Sequence, residues 1–202
     1  MRGGRLQLKR FKPETNRSCG VSCLRSILDL HNLSSSEKEI FDYGVLFEGK
    51  LNPLIALGCF AIEKGLKVGY VGFNPVIFKD DKEANVGVLK QRLPTYFSYG
   101  RFLVERAIRF LELGGEVKFK IPDAKDIETY LNKNALVLIG LRPALLDGKA
   151  GYNKLHYVVA VGYDEDNFFI LDPSFENIRK VKKLNLLAAM YSRMPEILVI
   201  YK

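Results

Sequence analysis

The chain has 202 residues, 48% hydrophobic and 27% charged, which is long enough to bury a core and typical of a globular rather than a disordered protein. No apolar run approaches the roughly 20 residues of a membrane helix, so we expect no membrane segment. The basic residues 1–13 are not followed by an apolar stretch, so we do not expect them to be a secretory signal. The net charge of +8 is spread along the chain without an aromatic and basic recognition motif, which argues against nucleic acid as a partner.

The organisation of the chain is simple. The sequence shows no internal repeat, no low-complexity linker and no shift of composition, so we expect a single domain over residues 1–202. Its 3 cysteines are too few for a disulfide framework and odd in number, which favours a reducing, cytoplasmic location.

The first third of the sequence carries mainly helix signals. Apolar spacing predicts a helix over residues 18–30, with Asn32 as its left-handed stop. Capping residues predict a second helix from residues 34–36 through Tyr43. Asn52 and Pro53 predict the start of a third helix, with the proline at its first position and Gly65 after its end. A strand is predicted over residues 66–73.

The middle third is less regular. Residues 74–100 combine mixed charge, two prolines and scattered aromatic residues, and no element is assigned to them. A helix is predicted over residues 101–113 and ends at a pair of glycines. A strand over residues 116–121, with Val117, Phe119 and Ile121 on one face, and a helix over residues 123–134 follow.

The last third is rich in strand signals. Apolar segments predict strands over residues 135–141, 156–163, 168–171 and 197–201. The turn at residues 164–167 joins two of them as an antiparallel hairpin. Helices before an antiparallel sheet make an α+β arrangement rather than an alternating βαβ one.

Cys19 is the candidate nucleophile. The sequence has no phosphate-binding glycine loop, no GxSxG elbow and no HExxH motif. A thiol at the start of a helix lies at the positive end of the helix dipole, which favours the thiolate, and the first amides of the helix are free to hold an oxyanion. Such a thiol also needs an imidazole base and a group that orients the base.

Only 2 histidines are available as that base. His31 follows the first helix, about 18 Å from Cys19 at 1.5 Å per residue, which is too far for a hydrogen bond. His156 opens one strand of the hairpin, and Asp172 ends the other. The two positions share parity, so we expect both side chains on one face if no bulge intervenes.

Each of these residues also has a structural interpretation. Cys19 alone is more typical of a buried thiol, His156 of a satisfied core histidine, and Asp172 before a proline of a strand end. Cys23 follows Cys19 by one helical turn, and the pair would need further ligands to bind zinc, so we expect Cys23 and Cys59 to be core residues. His31 is expected at the surface or at a helix end.

Three segments together resemble papain-like cysteine peptidases, in particular the bacteriocin-processing peptidases of double-glycine leaders and their stand-alone relatives. They are residues 13–28 around Cys19, residues 156–162 with the later Ile-Leu-Asp-Pro, and the final helix and strand. The resemblance implies Cys19 as nucleophile, His156 as base and acid, and Asp172 as orienting carboxylate. It also implies a helical half packed on an antiparallel sheet, a peptide or protein substrate, and no metal or cofactor.

One position departs from that family. The family has a glutamine six residues before the nucleophile, whose amide helps to stabilise the oxyanion, and this sequence has Pro13 there. Losing one such donor typically costs about 10²–10³ in rate. Neither Thr15 nor Asn16 has the right spacing, and Gln7 would reach only if the N-terminus folded back. The first hypothesis is therefore a thiol hydrolase or acyltransferase, and the second is an inactive relative that binds a peptide or protein.

Overall fold

The computed structural model describes residues 7–15, 18–48, 53–78, 80, 84–148 and 155–201. Within these ranges the α-helices are α1 Cys19–Leu30, α2 Glu37–Asp42, α3 Leu54–Glu63, α4 Val86–Arg92, α5 Ser98–Glu112, α6 Ala124–Asn132 and α7 Lys183–Tyr191. The strands are β1 Lys67–Gly72, β2 Glu116–Phe119, β3 Leu136–Leu141, β4 His156–Tyr163, β5 Asn167–Leu171, β6 Arg179–Lys182 and β7 Glu196–Tyr201. Short 3-10 turns cover Leu93–Thr95 and Pro143–Asp147.

All seven of these strands form one sheet in the order β2-β1-β7-β3-β4-β5-β6. Neighbouring strands are antiparallel except for β1 and β2, which are parallel. All six residues of β3 are buried, as expected for a strand near the middle of a sheet with both faces covered. The predicted α+β class is confirmed, and the parallel pair is an addition to it.

Helices cover both faces of the sheet. One apolar core lies between the sheet and the helices α1, α3 and α5, and eight of the ten residues of α3 are buried in it. A second core lies between the sheet and the helices α6 and α7. Within the part of the chain that the structure describes, every helix is too short or too polar to span a lipid bilayer.

Most predicted boundaries agree with the structure within two residues. Asn32 takes a left-handed conformation with φ 58° after α1, and the Ser36 side chain caps α2 by accepting a hydrogen bond from the Glu39 amide. Pro53 is the N-cap residue of α3 rather than its first helical residue, and its predicted partner Asn52 lies outside the described residues. Gly65 follows α3 with φ 89°.

The structure adds elements that sequence patterns did not indicate. Residues 74–100 contain α4 and the start of α5; α4 has a single buried residue, Leu89, so its apolar periodicity is weak. Strand β6 has only Val181 buried between charged neighbours, because it lies at the edge of the sheet. Ile121 was expected to share one face of this strand with Val117 and Phe119, but β2 ends at Phe119 and Ile121 is exposed.

Candidate active site

Cys19 is the first residue of α1 and is half-buried. The preceding residue, Ser18, does not cap the helix with its side chain. Its hydroxyl instead donates to the Thr15 carbonyl at 2.9 Å and accepts from the Thr15 amide at 2.9 Å. The turn before α1 is therefore closed by Thr15 and Ser18, and the Ser18 side chain does not occupy the first-turn amides beside Cys19.

The relative placement of His156 and Asp172 depends on a bulge in β4. At the turn end of the hairpin Tyr163 pairs with Phe168, and in that register Asp172 would lie opposite Val159 while His156 would project from the other face. The register shifts between Ala160 and Gly162, so that Val159 pairs with Leu171 instead. A bulge of one residue thus returns both side chains to one face. The prediction that the His156 and Asp172 side chains project from one face is correct. Its assumption that no bulge intervenes is wrong, because the bulge is what brings the two side chains to the same face.

Asp172 joins the histidine to a wider hydrogen-bond network. Its Oδ1 lies 2.7 Å from His156 Nε2 and accepts a bond from the Ser174 amide at 3.0 Å. Its Oδ2 accepts a bond from Arg179 Nη1 at 3.0 Å, and the same guanidinium also contacts Asp147. The carboxylate is only 1% exposed, so these partners replace the water that it would otherwise need.

This network sets the protonation of the site. Burial lowers the pKa of His156, but hydrogen bonds and charge interactions with Asp172 and Cys19 outweigh it and raise the pKa to about 9. Burial acts to raise the pKa of Asp172, and the bonds from His156, Ser174 and Arg179 reverse this and hold it below its usual value. The imidazolium and the carboxylate are therefore both charged at neutral pH. Because Nε2 faces Asp172, the interaction with Cys19 falls to Nδ1.

The three predicted residues line one open cavity of about 810 Å³. Residues 10 and 12–15 of the N-terminal segment (residues 7–15) also line it. Arg10 connects this segment to the residue that follows Asp172, since its Nε donates to the Pro173 carbonyl at 3.1 Å. Pockets that bind drug-sized molecules have volumes of about 300–1,000 Å³, so a ligand of that size fits here.

The other two cysteines belong to the core, as expected. Cys23 and Cys59 are fully buried, and their thiols donate to the carbonyls of Tyr157 at 3.4 Å and Arg106 at 3.3 Å. Burial raises the pKa of both thiols, that of Cys59 to about 12. His31 is the C-cap residue of α1, at the end of the helix opposite Cys19. Among the described residues, no group of three or more His, Cys, Asp or Glu side chains is placed to hold a metal.

The position of the expected oxyanion donor is part of the same cavity. Pro13 lines it and has no N–H to offer. Thr15 also lines it, but its amide donates to Ser18, while Gln7 is exposed and does not line it. Asn16 lies outside the described residues. Among the described residues, the backbone amides at the start of α1 are candidate donors to an oxyanion.

Two arginines of this site were not predicted. Arg179 follows Asp172 by seven residues in the edge strand β6, and Arg10 precedes Cys19 by nine residues outside any helix or strand. Neither spacing corresponds to a motif, because both contacts arise only when separate segments meet. The excess of positive charge was the one signal of them in the sequence.

Comparisons with known proteins identify the fold. No family model matches the sequence, and the search of curated proteins found no match to it. Among solved structures, the peptidase domain of ComA from Streptococcus, a bifunctional ABC transporter of a quorum-sensing pathway, is 13% identical with a TM-score of 0.50, covering 96% of each chain. A C39-like peptidase from Bacillus anthracis is 13% identical with a TM-score of 0.53, covering 96% of this chain and 94% of its own.

A third solved structure is a double glycine motif protease from an AMS/PCAT transporter in complex with the leader peptide. It is 12% identical with a TM-score of 0.51, covering 98% of this chain and 93% of its own. The chain therefore has the papain-like fold of these C39 peptidase domains over nearly its whole length.

Proposed function

We propose that this protein is a thiol hydrolase that cleaves a peptide or another amide bond, with Cys19 as nucleophile, His156 as base and acid, and Asp172 as orienting carboxylate. The observation that carries the proposal is the His156–Asp172 hydrogen bond of 2.7 Å beside the Cys19 thiol, in a cavity open to a substrate. Two chain segments more than a hundred residues apart meet there, and a merely structural histidine would not need a thiol at its second nitrogen.

The reaction follows from these positions. Cys19 attacks the carbonyl carbon of the substrate as a thiolate, with its proton already held at Nδ1 of the His156 imidazolium. The resulting oxyanion is held by amides at the start of α1, where the helix dipole is positive. His156 then protonates the leaving amine, which leaves an acyl group on the sulfur. Water deprotonated by His156 attacks that thioester, releases the acid and restores the thiol.

Asp172 and Arg179 support the imidazole in this scheme. An ionised carboxylate at Nε2 fixes the orientation of the ring and stabilises the imidazolium. Arg179 Nη1 donates a hydrogen bond of 3.0 Å to the second carboxylate oxygen, Oδ2, so Asp172 keeps its charge although it is buried. Both groups act through His156 and have no contact with the reacting carbon.

A peptide or protein is the proposed substrate class. The leader-peptide complex of the AMS/PCAT protease concerns a protein of the same fold, and the cavity here is large enough for a peptide segment. We place the protein in a reducing, cytoplasmic environment because its three cysteines are free. Nucleic acid is not part of the proposal despite the charge of +8.

Selective alkylation tests the proposal. Iodoacetamide at pH 6 is expected to label Cys19 at least about tenfold faster than Cys23 or Cys59, because Cys19 lines the open cavity beside His156 whereas burial raises the pKa of the other two thiols. Peptide mapping by mass spectrometry measures the three rates. Asp172→Asn removes the carboxylate that orients the His156 ring and stabilises its charged form, and is expected to slow the labelling of Cys19 without changing that of Cys23 or Cys59. Slow and similar labelling of all three thiols would contradict the proposal.

Pro13 favours a second candidate function, a domain that binds a peptide without cleaving it. An absent oxyanion donor slows acylation but leaves the cavity able to bind. A peptide with a C-terminal aldehyde or nitrile distinguishes the two, because it forms a reversible bond only with a competent thiolate. Binding that Cys19→Ala leaves unchanged favours the binding domain, and binding that Cys19→Ala weakens 100-fold or more favours the enzyme.

A further inference from the structure

We propose that Arg10 and Lys12 make this cleft selective for a substrate segment that carries a carboxylate near the bond attacked by Cys19. The inference rests on the proposed function and specifies its substrate. It depends on where the N-terminal segment places its cations and on which charges in the cavity already have partners.

The Arg10 side chain is held at the edge of the site by a hydrogen bond to a backbone carbonyl of another segment. Its Nε donates to the carbonyl of Pro173, the residue that follows Asp172, so the guanidinium lies across the cleft beside the catalytic network. Within the described residues neither Nη group of Arg10 has a hydrogen-bond partner, and the Nη groups are donors that bind a carboxylate in a bidentate manner. Lys12 lines the same cavity two residues later and is exposed.

The N-terminal segment is fixed on both sides of Arg10. The Phe11 ring contacts the Lys9 ammonium at 5.0 Å and the Arg25 guanidinium at 4.5 Å. Lys9 also pairs with Asp29 of α1 at 3.8 Å. A cation on a segment anchored in this way is already oriented before a ligand binds, which lowers the entropy cost of binding.

The acidic side chains of the cavity form ion pairs within the protein, whereas two of its basic side chains form no ion pair with any described residue. Its carboxylates are neutralised within the protein: Asp172 by His156 and Arg179, and Glu14 by Arg25 at 2.9 Å. Arg10 and Lys12 form no ion pair with any carboxylate of the described residues. The cavity therefore presents two uncompensated positive charges to a ligand, and the partner that complements them is an anion.

Carboxylate is the anion that fits a peptide-binding cleft. Pro143, Leu155 and Phe175 provide apolar wall elsewhere in the cavity, so the ligand combines apolar groups with one negative charge. A carboxylate in a peptide comes either from an Asp or Glu side chain or from a free C-terminus. Both would meet the same two cations, and the peptides described below separate them.

Two reagents that differ in one charge test the inference. Iodoacetate and iodoacetamide both transfer a two-carbon group to the Cys19 sulfur with loss of iodide, but only iodoacetate is anionic. The ratio of their labelling rates, measured by mass spectrometry at pH 6 to 7 and low salt, reports the attraction of an anion to the thiol. Arg10→Gln is expected to lower this ratio about fivefold and the Arg10→Gln, Lys12→Gln double variant about tenfold or more.

Matched variants separate the local charge from other effects. Arg10→Lys keeps the charge and is expected to retain most of the ratio. Lys125→Gln removes one exposed charge that does not line the cavity, and should leave the ratio unchanged. Raising the salt to about 0.5 M should lower the native ratio toward that of the double variant, since the attraction is screened.

The outcomes distinguish this inference from the proposed function. Rapid labelling of Cys19 by iodoacetamide with a ratio that Arg10→Gln and Lys12→Gln do not change would overturn the carboxylate preference and leave the hydrolase intact. Slow labelling of Cys19 by both reagents in the native protein would overturn both.

Protection of Cys19 by peptides identifies the source of the carboxylate. One peptide carries an internal Glu and an amidated C-terminus, a second carries Gln and a free C-terminus, and a third carries Gln and an amidated C-terminus. Stronger protection by the first assigns the site to an acidic side chain, and stronger protection by the second assigns it to a terminal carboxylate. Equal protection by all three peptides would overturn the inference.

Discussion

Two buried carboxylates, Asp172 and Glu196, are held in similar ways in different regions of the molecule. They are 1% and 4% exposed, and each accepts hydrogen bonds from an arginine and from one further side chain. Asp172 bonds Arg179 at 3.0 Å and His156 at 2.7 Å, while Glu196 bonds Arg193 at 2.9 Å and the Tyr70 hydroxyl at 2.8 Å. Burial and ion pairing therefore do not distinguish a functional site from a structural one.

The difference lies in the second partner and in access. Burial raises the pKa of Tyr70 well above its usual value, so its hydroxyl stays protonated and only donates to Glu196. His156 can take up and release a proton, and it faces a cavity and a thiol. A buried carboxylate thus becomes a candidate catalytic group when its partner can titrate and the cavity admits a substrate.

The largest expected effect tests the structural role of Glu196. Glu196→Gln leaves the Arg193 guanidinium buried without its counter-charge and should lower the free energy of unfolding by about 3–5 kcal/mol, measured by urea denaturation. The pH profile of Cys19 labelling should not change while the protein is folded. Asp42→Asn, which removes an exposed ion pair with Lys38, is the matched control and should cost less than about 1 kcal/mol. A changed labelling profile in Glu196→Gln would remove the distinction between the two clusters.

The next effect is the pH dependence of stability that His156 contributes. Its pKa is about 9 in the folded protein against 6.5 in the unfolded chain, so its contribution is complete below pH 6.5 and is lost as the pH rises through 9. A shift of this size corresponds to about 3 kcal/mol at most. The unfolding free energy of the native protein should therefore fall between pH 6.5 and 9 relative to that of His156→Gln. Parallel curves for the two proteins would show that the imidazolium is not stabilised in the folded state.

The smallest expected effect concerns Cys23, one helical turn after Cys19. Cys23→Ala removes one buried heavy atom and a weak bond to the Tyr157 carbonyl, which should cost about 1 kcal/mol in unfolding free energy. Labelling of Cys19 should keep its rate and pH dependence. Loss of that labelling in Cys23→Ala would mean that the two thiols act as a pair, as a metal site would require.

Local patterns predicted the elements that carry their own signals. The helix at Cys19, its left-handed stop at Asn32 and the β4–β5 hairpin follow from apolar periodicity and capping chemistry, which act over a few residues. Elements with few buried residues escaped prediction, because α4 and the edge strand β6 each bury only one apolar side chain. Their positions depend on neighbouring elements rather than on their own residues.

The candidate site was predicted in part, for the same physical reason. Cys19, His156 and Asp172 could be selected because few residues in the chain combine the required chemistry with a suitable element end. The parity argument for His156 and Asp172 reached the correct face through a wrong assumption, since a bulge changes parity without leaving a mark in the residue pattern. Apart from the excess of positive charge, the sequence held no signal of the contacts of Arg179 with Asp172 and of Arg10 with Pro173.

The sequence by itself determined which thiol starts a helix and which imidazole opens a strand. It also determined that basic side chains outnumber acidic ones, which gives the net charge of +8. The tertiary structure alone decided that these groups share a cavity, that Asp172 is neutralised from both sides, and that Arg10 and Lys12 have no such partner among the described residues. Side-chain chemistry and local propensity belong to each residue, whereas burial, pairing and access depend on segments that meet only after folding.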